Sequence, residues 1–236
     1  MNIQVENPPC LQVNDLTKEF TLHNRDGMQI NGFSGVSFSV RTGELLALTG
    51  PSGVGKSSIL KTVYRTYTPS RGTIWLHRGQ GKMVNLAGCS ESEMLGYRRR
   101  HIGFVTQFLK ILPRIPALDV VAAPLIETGT RKDEARERAA EMLRALHIRE
   151  ELFSISPLTF SGGEQQRINI ARGIIAPKKL LLLDEPTASL DEQSASSVLQ
   201  LLQELKRQKI CMVAIFHDRE RMVQVADNEY HLEQET

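Results

Sequence analysis

Two hydrophobic periods alternate along this chain and sort it into strands and helices. In residues 35–40, Val36, Phe38 and Val40 alternate with glycine and serines, the two-residue period of a strand with one buried face. Gly43 turns the chain into "ELLALTG" (44–50), a short apolar run ending in glycine, and a helix is expected from about Lys56. "GTIWLH" (72–77) and "KMVNLA" (82–87) read as further strands. The first half is therefore expected to be mixed, with antiparallel β structure around a first strand–helix unit.

From Ser90 to about Ile175 the period becomes helical. Ser90 with Glu93, and Thr130 with Asp133, have the spacing of a helix capping box. Ala139, Met142, Leu143 and Leu146 share one helical face, and "IGFVTQ" (102–107) interrupts the helices as a strand. "LLLLDE" (180–185) and "ICMVAIFHD" (210–218) are buried-strand candidates. Between them Ala195, Val198, Leu199, Leu202 and Leu205 repeat at helical spacing. Fully apolar strands alternating with amphipathic helices predict a parallel sheet covered on both faces, hence an α/β fold. The reading is one domain over residues 1–236. Its α/β core with a β subdomain takes 1–89 and 176–236, and a mainly helical subdomain takes 90–175.

Composition narrows the function classes. The chain has 236 residues, 41% of them hydrophobic, enough for one large or two small cores. A net charge of +2 lacks the basic excess of a nucleic-acid binder. No apolar run approaches the ~20 residues that span a bilayer, and the N-terminus lacks the pattern of a signal peptide. Three dispersed cysteines, Cys10, Cys89 and Cys211, fit neither a disulfide framework nor a zinc pattern. Reduced thiols in a cytoplasmic protein are expected.

The chemistry concentrates at helix starts and strand ends. "GPSGVGKS" (50–57) fills every fixed position of the pattern G-x-x-x-x-G-K-[ST] between a strand and a helix. Its backbone, from Gly50, Pro51, Ser52, Gly53, Val54 and Gly55 through Lys56, Ser57 and Ser58, is expected to cradle the phosphates of ATP. Lys56 would neutralise the β- and γ-phosphates, and the Ser57 hydroxyl would face Mg²⁺. Asp184 and Glu185 leave the carboxyl end of an apolar strand, where a parallel sheet has its ligand crevice. Asp184 is assigned to the Mg²⁺ shell and Glu185 to accepting a proton from water. His217 ends the next apolar strand and should point into the same crevice. "FSGGEQQRINIARG" (160–173) opens a helix on two glycines, each about 1 kcal/mol worse than alanine inside a helix. A capping box of Ser161 and Glu164 accounts for its ends but not for Gly162 and Gly163. Bare backbone at a helix N-terminus suits a second anion site. Two such sites with one P-loop suggest a head-to-tail pair of chains, each ATP lying between one chain's loop and the other's Ser161–Gly163.

These motifs, with "LLLLDEP" and "SLD" (189–191), occur in the order and approximate spacing of ABC-type ATPase domains, and the chain resembles that family over nearly its whole length. The resemblance implies an ABC-type P-loop NTPase with a mainly parallel core sheet, an antiparallel β subdomain and a helical subdomain. It implies that Gln107 lies near Mg²⁺ and the water, that Asp191 belongs to a loop acting across the dimer, and that Phe20 stacks on adenine. Glu164 stands where the family usually has glutamine, which favours capping over nucleotide contact. "YRTYTPSRG", "TQFLKILPRIPALDVV", "TFSGGEQQRINIARG" and "IFHD" further resemble the ATP-binding subunits of the phosphonate carbon–phosphorus lyase system. That likeness implies a soluble complex linked to forming ribose 1-methylphosphonate 5-triphosphate, with a dimer of this chain or with a related ABC subunit. The alternatives are the ATPase of a membrane exporter or lipoprotein-release complex with a transmembrane partner, and an ATP-gated clamp of little turnover. The apolar stretch 104–121 is expected either to pack the helical subdomain or to form the client's docking groove. The Arg98–Arg100 triplet is expected to be a solvated helix end, the alternative being contact with an acidic partner or lipid.

Overall fold

The computed structural model describes residues 9–22, 28–79, 82–110 and 113–233. Among them are seven α-helices and nine strands, and the strands form two sheets. Strands β1 (Leu11–Leu22), β2 (Met28–Val40), β4 (Arg71–His77) and β5 (Met83–Asn85) build an antiparallel sheet in the order β2-β1-β4-β5. Strands β3 (Leu45–Thr49), β6 (Ile102–Val105), β7 (Leu180–Asp184), β8 (Cys211–Ile215) and β9 (Asn228–His231) build a parallel sheet in the order β6-β7-β8-β3-β9. Helix α1 spans Lys56–Val63, α2 Glu91–Arg100, α3 Ala117–Glu127, α4 Lys132–Ala145, α5 Gly162–Ile174, α6 Glu192–Arg207 and α7 Arg219–Val223.

The parallel strands are apolar on both sides because each side faces a different core. Leu181 and Leu183 of β7, Met212 and Ala214 of β8, and Leu45 and Ala47 of β3 enter a core shared with α3 to α6. The alternate residues Leu180, Leu182, Val213, Ile215, Leu46 and Leu48 enter a second core with α1, α2 and the antiparallel sheet. The two-residue period of a strand thus serves two hydrophobic layers at once. The predicted stripe of α6 is buried throughout at Ala195, Val198, Leu199, Leu202 and Leu205. In α4, Ala139, Leu143 and the following Leu146 are buried, and Met142 packs partly buried against the same core.

Three sequence expectations change. Strand β6, from the stretch read as mainly helical, pairs with β7 along its length and so belongs to the core sheet. Thr130 caps nothing. The residue before α4 is Arg131, without a side-chain cap, and the Thr130 N–H instead donates to Leu125 O at 3.0 Å, closing the end of α3. The Ser90–Glu93 capping box does form at α2. Arg98 is no solvated end. Its guanidinium stacks over Tyr64 and donates to the carbonyls of Tyr64 and Arg65.

Helix α5 lies unusually close to β6. A Cβ on Gly173 would fall 2.4 Å from Val105 Cγ2, and one on Gly103 would fall 2.7 Å from Gly173 O. The Gly173 position is closed by the short, β-branched Val105 side chain, and the Gly103 position by Leu181 Cδ2 at 2.5 Å as well as by the helix backbone. Gly173→Ala is expected to lower unfolding free energy by about 1–3 kcal/mol, read from urea unfolding; native stability would mean the helix can move off the sheet freely.

Candidate nucleotide site

Parallel alignment brings the chemistry to one edge. Leu48, Ile215 and Asp184 are register neighbours across β3, β8 and β7. The residues that follow, 50–57, 185 and 217, therefore leave the sheet side by side. Loop 50–55 runs from β3 into α1, whose N-cap is Gly55 at φ 100°, with no side-chain cap and no acidic residue in the first turn. The helix's first N–H groups and its dipole are left for an anion. Gly50 and Gly55 are needed by the protein's own backbone as well. A Cβ on Gly55 would sit 2.2 Å from Gly32 O, and one on Gly50 2.3 Å from Leu232 O. Lys56 is buried, and its ammonium donates to Gly50 O and Pro51 O at 2.7 Å each, spanning the loop. Burial holds its pKa below the usual lysine value, an effect partly opposed by the Glu185 carboxylate.

Ser57 Oγ donates to Asp184 Oδ1 at 2.9 Å. Asp184 is only 2% exposed. Burial pushes its carboxyl up, tempered by the Ser57 hydrogen bond. A desolvated carboxylate beside a hydroxyl, at the mouth of an anion loop, is a donor pair that fits a hard cation such as Mg²⁺. No group of three or more His, Cys, Asp or Glu that could hold a metal occurs among the described residues. Such a cation would draw its other oxygens from phosphate and water.

Glu185 is fixed from three sides. Its Oε1 lies 2.6 Å from His217 Nε2, its Oε2 accepts from Gln107 Nε2 at 3.2 Å, and its backbone carbonyl accepts from Gln166 Nε2 at 3.2 Å. Its φ of 56° places a non-glycine residue in the left-handed region. Strain of that kind persists only where the surroundings over-determine it. The structure therefore gathers Glu185, His217 and Gln107, and places Ser57 beside Asp184.

The second glycine motif has its own geometry. Ser161 caps α5, and the Glu164 carboxylate accepts from Ser161 N at 3.0 Å and from Ser161 Oγ at 2.8 Å. Those bonds hold the Glu164 pKa below the ordinary carboxylate value. The two glycines differ. A Cβ on Gly162 would meet nothing within 4 Å, whereas one on Gly163 would come 3.2 Å from Ser189 O. Gly162 faces open space, whereas Gly163 admits the "SLD" turn. Among the described residues, the Ser161 hydroxyl bonds only within its own cap, to the Glu164 carboxylate and the Glu164 N–H. Asp191 caps α6 by accepting from Ser194 N and Ser194 Oγ at 2.8 and 2.9 Å. Phe20 is half-buried on β1, edge-on to Tyr67 at 5.1 Å and under the Lys18 ammonium.

Sequence reading passed over Gln166 and Asn169. Both are buried polar residues one helical turn apart, Asn169 between Ile168 and Ile170. A polar pair on the buried face of a helix was the signal available. The apolar stretch 104–121 divides its roles. Leu109, Ile115, Val120 and Val121 pack into the core, Phe108 is 70% exposed, and residues 111 and 112 lie outside the described residues. Beside it a groove of about 840 Å³ is lined by Leu95, Arg99, Arg100, Lys110, Arg172 and Lys178 among others.

An "ABC transporter" family model matches residues 33–188. The chain is 38% identical over 228 residues to the lipoprotein-releasing system ATP-binding protein LolD of Bordetella pertussis, covering 95% of this chain and 94% of that protein. It is 35% identical over 227 residues to the macrolide export ATP-binding/permease protein MacB of Brucella abortus, covering 94% of this chain and 34% of that longer protein. A dimeric post-hydrolysis state of the ATP-binding cassette MJ0796, bound to ADP and Pi, superposes with a TM-score of 0.86 at 27% identity. It covers 96% of this chain and 97% of that one.

Gly55→Ala forces a Cβ into the Gly32 carbonyl at a positive φ. It is expected to weaken binding of a fluorescent ATP analogue by at least about ten-fold, which is about 1.4 kcal/mol; native affinity would contradict the loop geometry.

Proposed function

The chain belongs to the ABC transporter family, and on that premise we propose that it binds ATP with Mg²⁺ and hydrolyses it where two ATPase subunits meet. The observation that carries this reading is the Glu185 carboxylate, held between Gln107 and His217 next to the Ser57–Asp184 pair. The loop N–H groups, the α1 N-terminus and Lys56 bind the phosphates. Ser57 and Asp184, with Gln107 nearby, hold Mg²⁺, which when bound neutralises charge on the phosphate oxygens. Glu185 accepts a proton from water as the water oxygen bonds to the γ-phosphorus. The bond from that phosphorus to the β–γ bridging oxygen breaks, giving ADP and phosphate. His217 keeps the Glu185 carboxylate aimed. Phe20 contacts adenine.

The Ser161–Gly163 segment of a second copy, or of a related ABC subunit, completes each site from the other side. The open space at Gly162 supports this. So does the dimeric arrangement of MJ0796 with ADP and Pi. Asp191 and its neighbours lie on the face that meets the second subunit. Closure excludes water and assembles the groups; release reopens the pair.

The power stroke passes to a client in the groove beside Gln107. Its cations Arg99, Arg100, Lys110, Arg172 and Lys178 would favour an acidic client surface. The names of LolD and MacB support a membrane-embedded client, a permease pair served by this subunit from the cytoplasmic side. A second reading has the chain drive assembly or conformational change in a soluble phosphonate carbon–phosphorus lyase complex. It rests on the strings "YRTYTPSRG" and "TQFLKILPRIPALDVV", and the comparisons support it less well than the first. No helix among the described residues is long and apolar enough to cross a membrane.

Glu185→Gln is expected to keep ATP affinity, to lose nearly all hydrolysis and to accumulate as a dimer with ATP. Used as bait in an ATP-loaded pull-down, this trapped form should capture the client. A transmembrane pair supports the first reading and soluble lyase subunits the second. Native turnover by Glu185→Gln would contradict the catalytic assignment itself.

A further inference from the structure

Helix α5 carries polar side chains where its packing calls for apolar ones. Gln166 is 5% exposed and Asn169 4%. Three residues apart, they share one face of the helix. Among the described residues neither bonds to another side chain; each donates to a main-chain carbonyl. Gln166 Nε2 reaches Glu185 O at 3.2 Å, and Asn169 Nδ2 reaches Thr106 O. The first carbonyl belongs to the residue whose φ is 56°, just past the end of β7. The second belongs to the residue before Gln107, just past the end of β6. On an adjacent face Arg167 donates to Ser194 Oγ and lies 3.7 Å from Asp191, the cap of α6. Within one turn the helix grips three segments, two of which present the side chains that surround the attacking water.

The helix is suited to act as one rigid body. Its C-terminal turn lies against β6 with no room for a methyl group at Gly173. Its N-terminal turn is locked by the Ser161–Glu164 capping box, and Gly163 abuts Ser189 O. A displacement at Ser161 therefore moves the donors at 166 and 169 with it.

We propose that Gln166 and Asn169 are positioning residues for ATP hydrolysis. They fix the main chain from which the Glu185 carboxylate and the Gln107 carboxamide project. They also tie both to the helix whose N-terminus meets the second subunit. The inference rests on the ATPase reading above. Nucleotide bound at one interface is thereby linked to the catalytic groups of the other, because the Ser161–Gly163 that touches one ATP sits on the helix that holds Glu185 for its twin.

The test is a double-mutant cycle. Gln166→Met nearly preserves volume and removes the carboxamide, and with it the N–H donor to Glu185 O. Turnover and KM for ATP are measured in the native background, and residual single-turnover rates in the Glu185→Gln background. At least a ten-fold fall in kcat with KM within two-fold, and no further loss once Glu185 is gone, is the expected result. A general packing defect would slow both backgrounds in proportion, and that outcome overturns the proposal, as does a kcat within two-fold of native. Gln166→Leu, which also lacks the N–H donor and adds no charge, carries the same test if the methionine variant does not fold. Native turnover in Glu185→Gln would defeat the underlying ATPase assignment. A silent Gln166→Met in a protein that does need Glu185 defeats only this inference.

Discussion

Burial of both faces of the five-stranded sheet is the constraint on which the rest depends. Because each face has its own core, β3, β7 and β8 cannot slip by one residue without exchanging leucines between layers of different shape. The register that fixes Leu48, Ile215 and Asp184 side by side is therefore set by hydrophobic packing. The polar chemistry is appended where that packing ends. Gly50, Glu185 and His217 each begin within two residues of a strand end, so a few ångströms of accuracy at the site are inherited from the core.

Polar geometry then refines what packing has placed. The Glu185 carboxylate is gripped by His217 and Gln107, and its carbonyl by Gln166. These partners come from the segment after β8, the segment after β6 and helix α5, which share no local sequence. Asp184, one residue earlier, is turned inward to Ser57 and held in an apolar setting that disfavours its charge. Adjacent carboxylates thus receive opposite surroundings, one dry and one facing the crevice. Asp184 is the last residue of β7, and the chain leaves the strand at Glu185 in the left-handed conformation, which separates the two.

Much of this was legible in the residues. "LLLLDE" announced a strand apolar on both faces with two carboxylates at its end, and "GPSGVGKS" announced the loop and the start of α1 at Lys56, where the helix does begin. His217 was placed by its strand and is found 2.6 Å from Glu185. Long-range tertiary contacts were not legible. Thr130 and Asp133 have perfect box spacing, yet the backbone at Thr130 is used to finish α3. Arg98 looked like a solvated charge, yet it is spent on two carbonyls and a tyrosine ring. Gly162 and Gly163 read as one motif, yet one faces open space and the other a neighbouring carbonyl. Local spacing states what a residue can do; only the packed chain states which partner reaches it first.

The central claim is that a complete catalytic site needs two subunits. Its most direct measurement is the structure of the ATP-loaded, hydrolysis-deficient assembly. The account predicts Gly162 of one subunit against the triphosphate that lies in the other subunit's loop of residues 50–57, with Glu185 at the water's position. A triphosphate approached only by residues of the chain whose loop holds it, with residues 161–163 remote from every nucleotide, would contradict the account.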